Sequence, residues 1–283
     1  HRKMVEEACE FVMKKGGITT AEVDYLLGGD LVNQMTPTNF AARELAIPFI
    51  GLFSACATSV SAVIVASLLT ELGAANYSIA GASSQHNAIE RQFRYPINYG
   101  AQKPQTAQWT VTAAGYALVG KHREDAPSIE AATIGKVIDY GMDDPFHMGA
   151  AMAPAAFQTI KSHLEERKQE IYHYDLILTG DLGQLGLKLL KGMLVESGIK
   201  NEELTLLRDA GAEFYGQDES FQSGASGAGC SAAVFFSYVM QELRAGTYKR
   251  VLLVATGALL SPLSFQQKET IPCTAHAIEI TMK

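Results

Sequence analysis

The residue with the clearest chemical potential in this sequence is Cys56, which lies between an apolar run at 47–53 and a small-residue stretch at 57–72. The first pattern is typical of a buried strand and the second of a buried helix. A cysteine at such a strand-to-helix turn lies beside backbone N–H groups and the positive end of a helix, which favour a thiolate and also favour bound anions. Acyl transfer by this thiol would further need a proton acceptor, usually histidine, and an oxyanion donor. The pattern therefore predicts either a nucleophile or an anion-binding residue.

A second group of candidate residues lies in the segment 91–121, which carries no aspartate or glutamate although the whole chain is acidic. Arginine and lysine donate to carboxylates, and aromatic rings give flat apolar faces, so the segment can offer both together. The alternative is a solvated loop in which arginines pack against rings for structural reasons. The cations are Arg91, Arg94, Lys103 and Lys121, and the rings belong to Phe93, Tyr95, Tyr99, Trp109 and Tyr116.

Four further residues have the right chemistry for ligand binding. His86 could donate to a carboxylate near neutral pH, although a loop histidine is as often structural. Asp181 follows a predicted strand and could position a cation or bind a donor, although Gly-Asp after a strand is also a turn signal. Gly224 and Gly227 precede a predicted helix and could let backbone amides approach a ligand, or they could pack tightly against the Cys56 turn.

Composition narrows the function classes. The net charge of −7 and the pI of about 5.5 argue against a nucleic-acid surface, and no nucleic-acid partner is predicted. The four cysteines are widely spaced without a zinc pattern, which is typical of reduced thiols in an intracellular protein. No calcium-loop pattern is present, so neither a dedicated metal site nor a cofactor is predicted. Since the chain starts at His1 without a leader pattern, we expect that a segment precedes it.

The uncharged segment 47–70 is long enough to span a bilayer. Pro48, Gly51 and several serines and threonines interrupt it. We therefore expect a buried strand, a turn and a helix here, and no transmembrane helix.

The order of elements is repeated along the chain. An amphipathic helix, a strand and Gly-Asp-Leu occur at 4–31, and the same series occurs at 155–182; Cys56 and Cys230 each open a helix that leads to a further strand. This repetition predicts an α/β fold made of duplicated βαβαβ halves in stacked layers. We expect an N-terminal half at 1–150 and a C-terminal half at 151–283.

Three motifs in this order resemble the thiolase and ketosynthase superfamily. They are Phe-Ser-Ala-Cys-Ala-Thr-Ser at 53–59, Met-Gly-Ala-Ala-Met-Ala-Pro-Ala at 148–155, and Gly-Ala-Ser-Gly at 224–227. The resemblance spans nearly the whole chain and implies a layered α/β/α/β/α architecture. It also implies a homodimer that pairs through a strand near 77–83, and a first strand of the N-terminal half that precedes His1.

The chain departs from this superfamily where its catalytic groups belong. Phe221 occupies the position of the thiolase Gly-His-Pro histidine, and Ala255 to Gly257 replaces the second cysteine turn. The histidine of the ketosynthase III type falls at Gly180 and Asp181. Loss of one member of such a concerted set costs several orders of magnitude in rate, so Cys56 is predicted to line a binding pocket rather than to attack a substrate.

Longer strings are similar to one branch of this superfamily, found in spore-forming bacteria. That resemblance implies a non-catalytic protein that binds dipicolinic acid (pyridine-2,6-dicarboxylate). It further implies a place beside the spore inner membrane, where other proteins of the same operon help to load the acid into the developing spore. The strings lie at 29–34, 90–96, 100–104, 174–182 and 254–262.

The predicted ligand is dipicolinate, free or as its calcium chelate, in the cleft below Cys56. A planar dianion needs cationic donors and flat faces, which the segment 91–121 contains. Two alternatives stay open: an acyl-CoA-dependent acyltransferase with Cys56 as nucleophile and His86 as base, or a scaffold for membrane partners with an empty cleft. The predicted ligand-binding residues are Cys56, His86, Arg91, Arg94, Lys103, Asp181, Gly224 and Gly227.

Overall fold

The computed structural model describes residues 1–93, 102–216 and 218–282, in which helices and strands alternate. The first elements are α1 (Arg2–Gly16), β1 (Tyr25–Gly29), α2 (Thr36–Leu45), β2 (Phe49–Gly51), α3 (Thr58–Glu71), β3 (Tyr77–Ser84), α4 (His86–Phe93), β4 (Trp109–Thr110) and β5 (Ala113–Gly120). They are followed by β6 (Ser128–Ile134), α5 (Met148–Arg167), β7 (Leu176–Thr179), α6 (Gly183–Glu196), β8 (Leu207–Asp209), α7 (Ala210–Glu213) and β9 (Ala225–Ser226). The last elements are α8 (Ala228–Val234), α9 (Met240–Arg244), β10 (Arg250–Ala258), α10 (Pro262–Gln266) and β11 (Cys273–Thr281).

Two sheets share one strand order. The first runs β2-β1-β3-β5 and the second runs β8-β7-β10-β11-β6. In each sheet the first three strands are parallel and the next is antiparallel. The sheets are therefore copies of one pattern, with β6 lacking a counterpart among the described strands of the first. By its pairing with β11, β6 belongs to the second sheet although it precedes residue 150.

The helices cover the sheets in layers, and the architecture expected from the sequence is confirmed. Helices α3 and α8 lie between the two sheets and contact strands of the first, and α3 also contacts β10 and β11 of the second. Helix α3 is apolar around most of its circumference, and Val60, Val63 and Ile64 are all buried, as a helix between two sheets requires. Helices α1 and α2 cover the outside of the first sheet, and α5 and α6 cover the outside of the second.

The uncharged segment 47–70 forms β2, the Cys56 turn and most of α3, as expected. Within the described ranges, no helix combines the length and the hydropathy that a membrane span needs.

The strand expected to join two copies of the chain is an inner strand of the first sheet. β3 pairs with β1 on one side and with β5 along its whole length on the other. Since both of its edges are hydrogen-bonded within the chain, Tyr77–Ser84 has no edge free for a second copy. The homodimer, and the part that this strand plays in it, stay predictions.

Candidate functional site

The backbone before Cys56 is held in a sharp turn by the first residues of α3. Ala55 has a φ of 48°, in the left-handed region that residues with a side chain seldom adopt. The Thr58 hydroxyl accepts from the Ser54 N–H at 3.0 Å and donates to the Ala55 carbonyl at 2.7 Å. Strand β10 comes so close that a Cβ at Gly257 would overlap the Ser54 carbonyl oxygen. The hydrogen bonds of Thr58 therefore hold the turn against α3, and Gly257 lets β10 pack closely against the other side of the turn.

A narrow cleft opens beside this turn. It holds about 40 Å³ of free space, which is room for about three water molecules. None of the described residues that line it is a histidine, lysine or arginine. Its polar side chains are those of Cys56, Thr110 and Asp181, and the others are Leu31, Phe53, Ala55, Ile89, Phe93, Met148, Met152, Gly227, Ala258 and Leu260.

Of the predicted ligand-binding residues, the cleft brings together Cys56, Asp181 and Gly227. The Asp181 carboxylate is 1% exposed; it accepts from the Thr256 hydroxyl at 2.9 Å and from the Gly227 N–H at 3.0 Å. Gly227 has a φ of 112°, and a Cβ there would press on the Ser84 hydroxyl, so only glycine fits. Asp181 thus ties the start of α8 to strand β10 at the cleft wall.

The aspartates of the two Gly-Asp-Leu copies make different hydrogen bonds. Asp30 forms a local turn, because its carboxylate accepts from the Val32 and Thr38 N–H groups. In the second half, the corresponding local contacts are made by Asp209, which accepts from the Leu182 and Gly183 N–H groups at 2.9 Å. The Asp181 side chain therefore does not bond the N–H groups of this turn and lines the cleft instead.

The Asp181 charge also affects the thiols of the central layer. Burial, with a smaller contribution from the charges of Asp181 and Asp209, raises the pKa of the Cys230 thiol well above its usual value. A buried carboxylate opposes a second negative charge in the same cleft. The Asp181 carboxylate therefore disfavours an uncompensated anionic ligand in the cleft.

His86 lies beside the cleft rather than in its lining. It is the first residue of α4, and its Nδ1–H donates to the Thr110 carbonyl at 2.9 Å. Its ring stacks on Trp109 at 5.6 Å between centroids. The imidazole therefore contacts both residues of strand β4 and helps to hold that strand in place.

Lys103 has a partner that the sequence pattern did not reveal. Its Nζ lies 2.8 Å from Oε2 of Glu90, which is fully buried, and 4.1 Å from the centre of the Trp109 ring. Glu90 stands one residue before the segment that carries no acids, so counting charges within 91–121 missed it. The positive charge of Lys103 is balanced within the protein.

The remaining predicted residues do not line the cleft. Arg91 is exposed on α4, the helix that contributes Ile89 and Phe93 to the cleft. The Gly224 carbonyl accepts from the Trp109 N–H at 2.8 Å at the join of β4 and β9. Arg94 falls outside the described residues.

Aromatic and small residues occupy the positions at which the resemblance leads us to expect catalytic bases. The Phe221 ring stacks on Tyr215 at 3.8 Å and meets Trp109 edge-on at 5.9 Å. Gly180 packs against Ala255, with no side chain that could transfer a proton. Over residues 1–93, 102–216 and 218–282, no group of three or more histidine, cysteine, aspartate or glutamate side chains is arranged to hold a metal ion.

Thr110 is the cleft residue that sequence reasoning missed. It belongs to a two-residue strand, β4, whose parallel pairing with β9 joins segments more than a hundred residues apart. Such a short strand has no periodicity of its own, so no local signal could have marked it.

Comparison with known proteins shows the family of this chain. Residues 1–281 match the family model of stage V sporulation protein AD. The stage V sporulation protein AD of Bacillus subtilis (strain 168) is 46% identical over 277 residues, covering 98% of this chain and 81% of that protein.

Solved enzymes share the fold at low identity. The acetyl-CoA acetyltransferase of Bacillus anthracis has a TM-score of 0.64 at 12% identity, covering 100% of this chain and 93% of that one. The 3-oxoacyl-(acyl-carrier-protein) synthase III of Aquifex aeolicus VF5 has a TM-score of 0.61 at 11% identity, covering 99% and 84%. The fold is thiolase-like, and the chain belongs to the stage V sporulation protein AD family.

Proposed function

We propose that this protein is a non-catalytic member of the thiolase-like fold that binds dipicolinic acid at the Cys56 cleft and supports its uptake into the developing spore. The observation that carries the proposal is a thiol turn preserved without an imidazole among the described residues of its cleft. The turn keeps a strained Ala55 and a glycine approach at Gly257, whereas the positions of the proton acceptors hold Phe221 and Gly180. Among its described residues such a site offers surfaces for a ligand and no imidazole that could take the thiol proton, as acyl transfer requires.

The cleft can receive a flat ring at its apolar wall. Phe53, Phe93 and Met152 offer apolar surface to a pyridine ring. In this arrangement the ring edge enters between these side chains, and at least one carboxylate stays near the mouth. Arg91, on the same helix as Phe93, is the exposed cation on that side.

Charge favours the calcium chelate of the ligand over the free dianion. Asp181 brings a buried negative charge to the cleft, and Lys103 is already paired with Glu90. A neutral chelate avoids the repulsion that a dianion meets beside Asp181. Calcium would therefore enter with the ligand.

The proposed setting of this binding is the spore inner membrane, with the protein peripheral to it as a homodimer. The other proteins of the same sporulation operon would be its partners there. Membership in the stage V sporulation protein AD family supports the connection with spore formation.

Isothermal calorimetry tests the proposal directly. The purified protein is titrated with dipicolinate, once with calcium and once with a chelator, and Gln or Lys variants of Met152 serve to block the cleft. Saturable heat that disappears in Met152→Lys and persists in a surface variant such as Lys161→Gln supports a cleft site. No saturable heat at millimolar ligand, with or without calcium, would sink the proposal.

An acyl-CoA-dependent transferase remains the second candidate, because the Cys56 turn keeps the strained geometry that a nucleophile needs. Intact-protein mass spectrometry after incubation with acetyl-CoA discriminates between the two functions. A mass increase of one acetyl group that is absent in Cys56→Ala would favour this candidate.

A further inference from the structure

Thr110 is held at the cleft by contacts to its backbone on both sides. Its N–H donates to Oε1 of Glu90 at 3.0 Å, and its carbonyl accepts from His86 Nδ1 at 2.9 Å. In the β4–β9 ladder it pairs with Ser226. Glu90 is fully buried, so this backbone position is fixed by protein groups rather than by solvent.

The Thr110 side chain, in contrast, is incompletely bonded. The residue is 1% exposed and lines the cleft, and its Oγ1 has no hydrogen-bond partner in the described part of the chain. A buried hydroxyl without a partner costs free energy, and native proteins seldom keep one without a reason.

Other threonines around the site do not share this feature. Thr58 donates to the Ala55 carbonyl at 2.7 Å, and Thr256 donates to Asp181 at 2.9 Å. Thr179 donates to Asp209 at 2.7 Å. Of these four threonines, only Thr110 combines an unmatched hydroxyl with a place in the cleft lining.

We propose that the Thr110 hydroxyl is the specificity-determining contact of the cleft and donates to a carboxylate oxygen of the bound pyridine dicarboxylate. This inference rests on the proposed function and adds to it the residue that recognises the polar edge of the ligand. In a wall that is otherwise largely apolar, one fixed donor sets the depth and the rotation of a flat ligand. A ligand of the same shape without a carboxylate leaves the hydroxyl unmatched and binds more weakly.

The test compares Thr110→Val with Thr110→Ser by calorimetric titration with dipicolinate. Valine keeps the branched shape without the hydroxyl, and serine keeps the hydroxyl without the methyl group. A hydrogen bond to a charged group corresponds to roughly a 10-fold to 100-fold change in dissociation constant. We expect that loss in Thr110→Val, a change of less than about threefold in Thr110→Ser, and a melting temperature in Thr110→Val no lower than in the wild type.

A matched ligand provides the second measurement. Pyridine-2-carboxylate has one carboxylate fewer than dipicolinate, and a double-mutant cycle between ligand and protein isolates the contact. We expect the preference for dipicolinate to shrink in Thr110→Val. If Thr110→Val does not fold, Thr110→Ala takes its place in the same cycle.

The outcomes separate this inference from the function on which it rests. If the wild type gives no saturable heat with dipicolinate, with or without calcium, both fail. If the wild type binds while Thr110→Val binds within twofold of it with unchanged ligand preference, the role of Thr110 is refuted and the proposed function stands.

Discussion

Replacing Asp181 by asparagine should change stability and ligand affinity in opposite directions. The carboxylate accepts from the Gly227 N–H at 3.0 Å and from the Thr256 hydroxyl at 2.9 Å. An amide can keep one of these bonds but turns its NH₂ group toward the other donor. Leaving a buried donor without an acceptor costs about 1–3 kcal/mol, so Asp181→Asn should unfold at lower denaturant concentration than the wild type.

The same change removes the negative charge from the cleft. Two unit charges about 8 Å apart at an effective dielectric constant of about 20 repel by about 2 kcal/mol. Removing that repulsion corresponds to an improvement of more than about tenfold in dissociation constant. We therefore expect Asp181→Asn to bind calcium-free dipicolinate more tightly than the wild type. Added calcium should then increase the affinity of the variant for dipicolinate much less than it increases that of the wild type.

Asp209→Asn is the matched control for this pair of measurements. Asp209 is also buried and bonded to backbone N–H groups, but it does not line the cleft. Its variant should lose stability without a gain in affinity. Calorimetric titration and urea unfolding of the three proteins measure both quantities. Weaker or unchanged calcium-free binding in Asp181→Asn would refute the electrostatic reasoning.

Three further predictions concern the stability of the fold and the fluorescence of Trp109. Burial raises the pKa of Asp209 to about 7, so the folded state holds a proton that the unfolded state releases near pH 4. The contribution of Asp209 to the free energy of unfolding is thus present at low pH and declines as the pH rises from about 4 to about 7. Urea unfolding across this range should show the decline in the wild type and not in Asp209→Asn. Gly257→Ala should lower the free energy of unfolding by about 1–3 kcal/mol, because its Cβ crowds the Ser54 carbonyl. Gly192→Ala, in an open place on α6, should leave the free energy of unfolding unchanged or raise it in the same urea assay. Equal effects of the two substitutions would contradict the close approach of β10 to the turn. Trp109 is the only tryptophan of the sequence and adjoins Thr110, so dipicolinate should change its fluorescence saturably with the same dissociation constant as calorimetry; a constant signal during saturable heat would place the ligand elsewhere.

The fold was largely predictable because its signals are local. The apolar stretch 57–72 becomes α3, and the repeated Gly-Asp-Leu strings do follow β1 and β7. Hydrophobic periodicity and helix-strand alternation are encoded within a few residues of each element, so a single sequence contains them. The pairing of β3 with β5 was not predictable in the same way, because sheet order is set by contacts between residues far apart in the sequence.

The site was less predictable because its contacts cross the chain. Cys56 and Asp181 could be proposed from local motifs, and the cleft brings them together. The Glu90–Lys103 pair and the Thr110 anchor depend on how α4 meets β4, which no spacing in the sequence reports. Similarly, the identical turn strings of Asp30 and Asp181 gave no sign that Asp209 takes over the local contacts in the second half.

Protection of Cys56 from alkylation tests the central claim most directly. Cys56 is half-buried, whereas Cys9, Cys230 and Cys273 are buried. Burial also raises the pKa of Cys9 and of Cys273 to about 12, which makes these two thiols poor nucleophiles. Iodoacetamide should therefore modify Cys56 first in the folded protein, and peptide mass spectrometry can follow the rate. We predict that dipicolinate with calcium slows this modification saturably, at the concentrations that calorimetry gives for binding. An unchanged rate at saturating ligand would contradict a binding site at the Cys56 cleft.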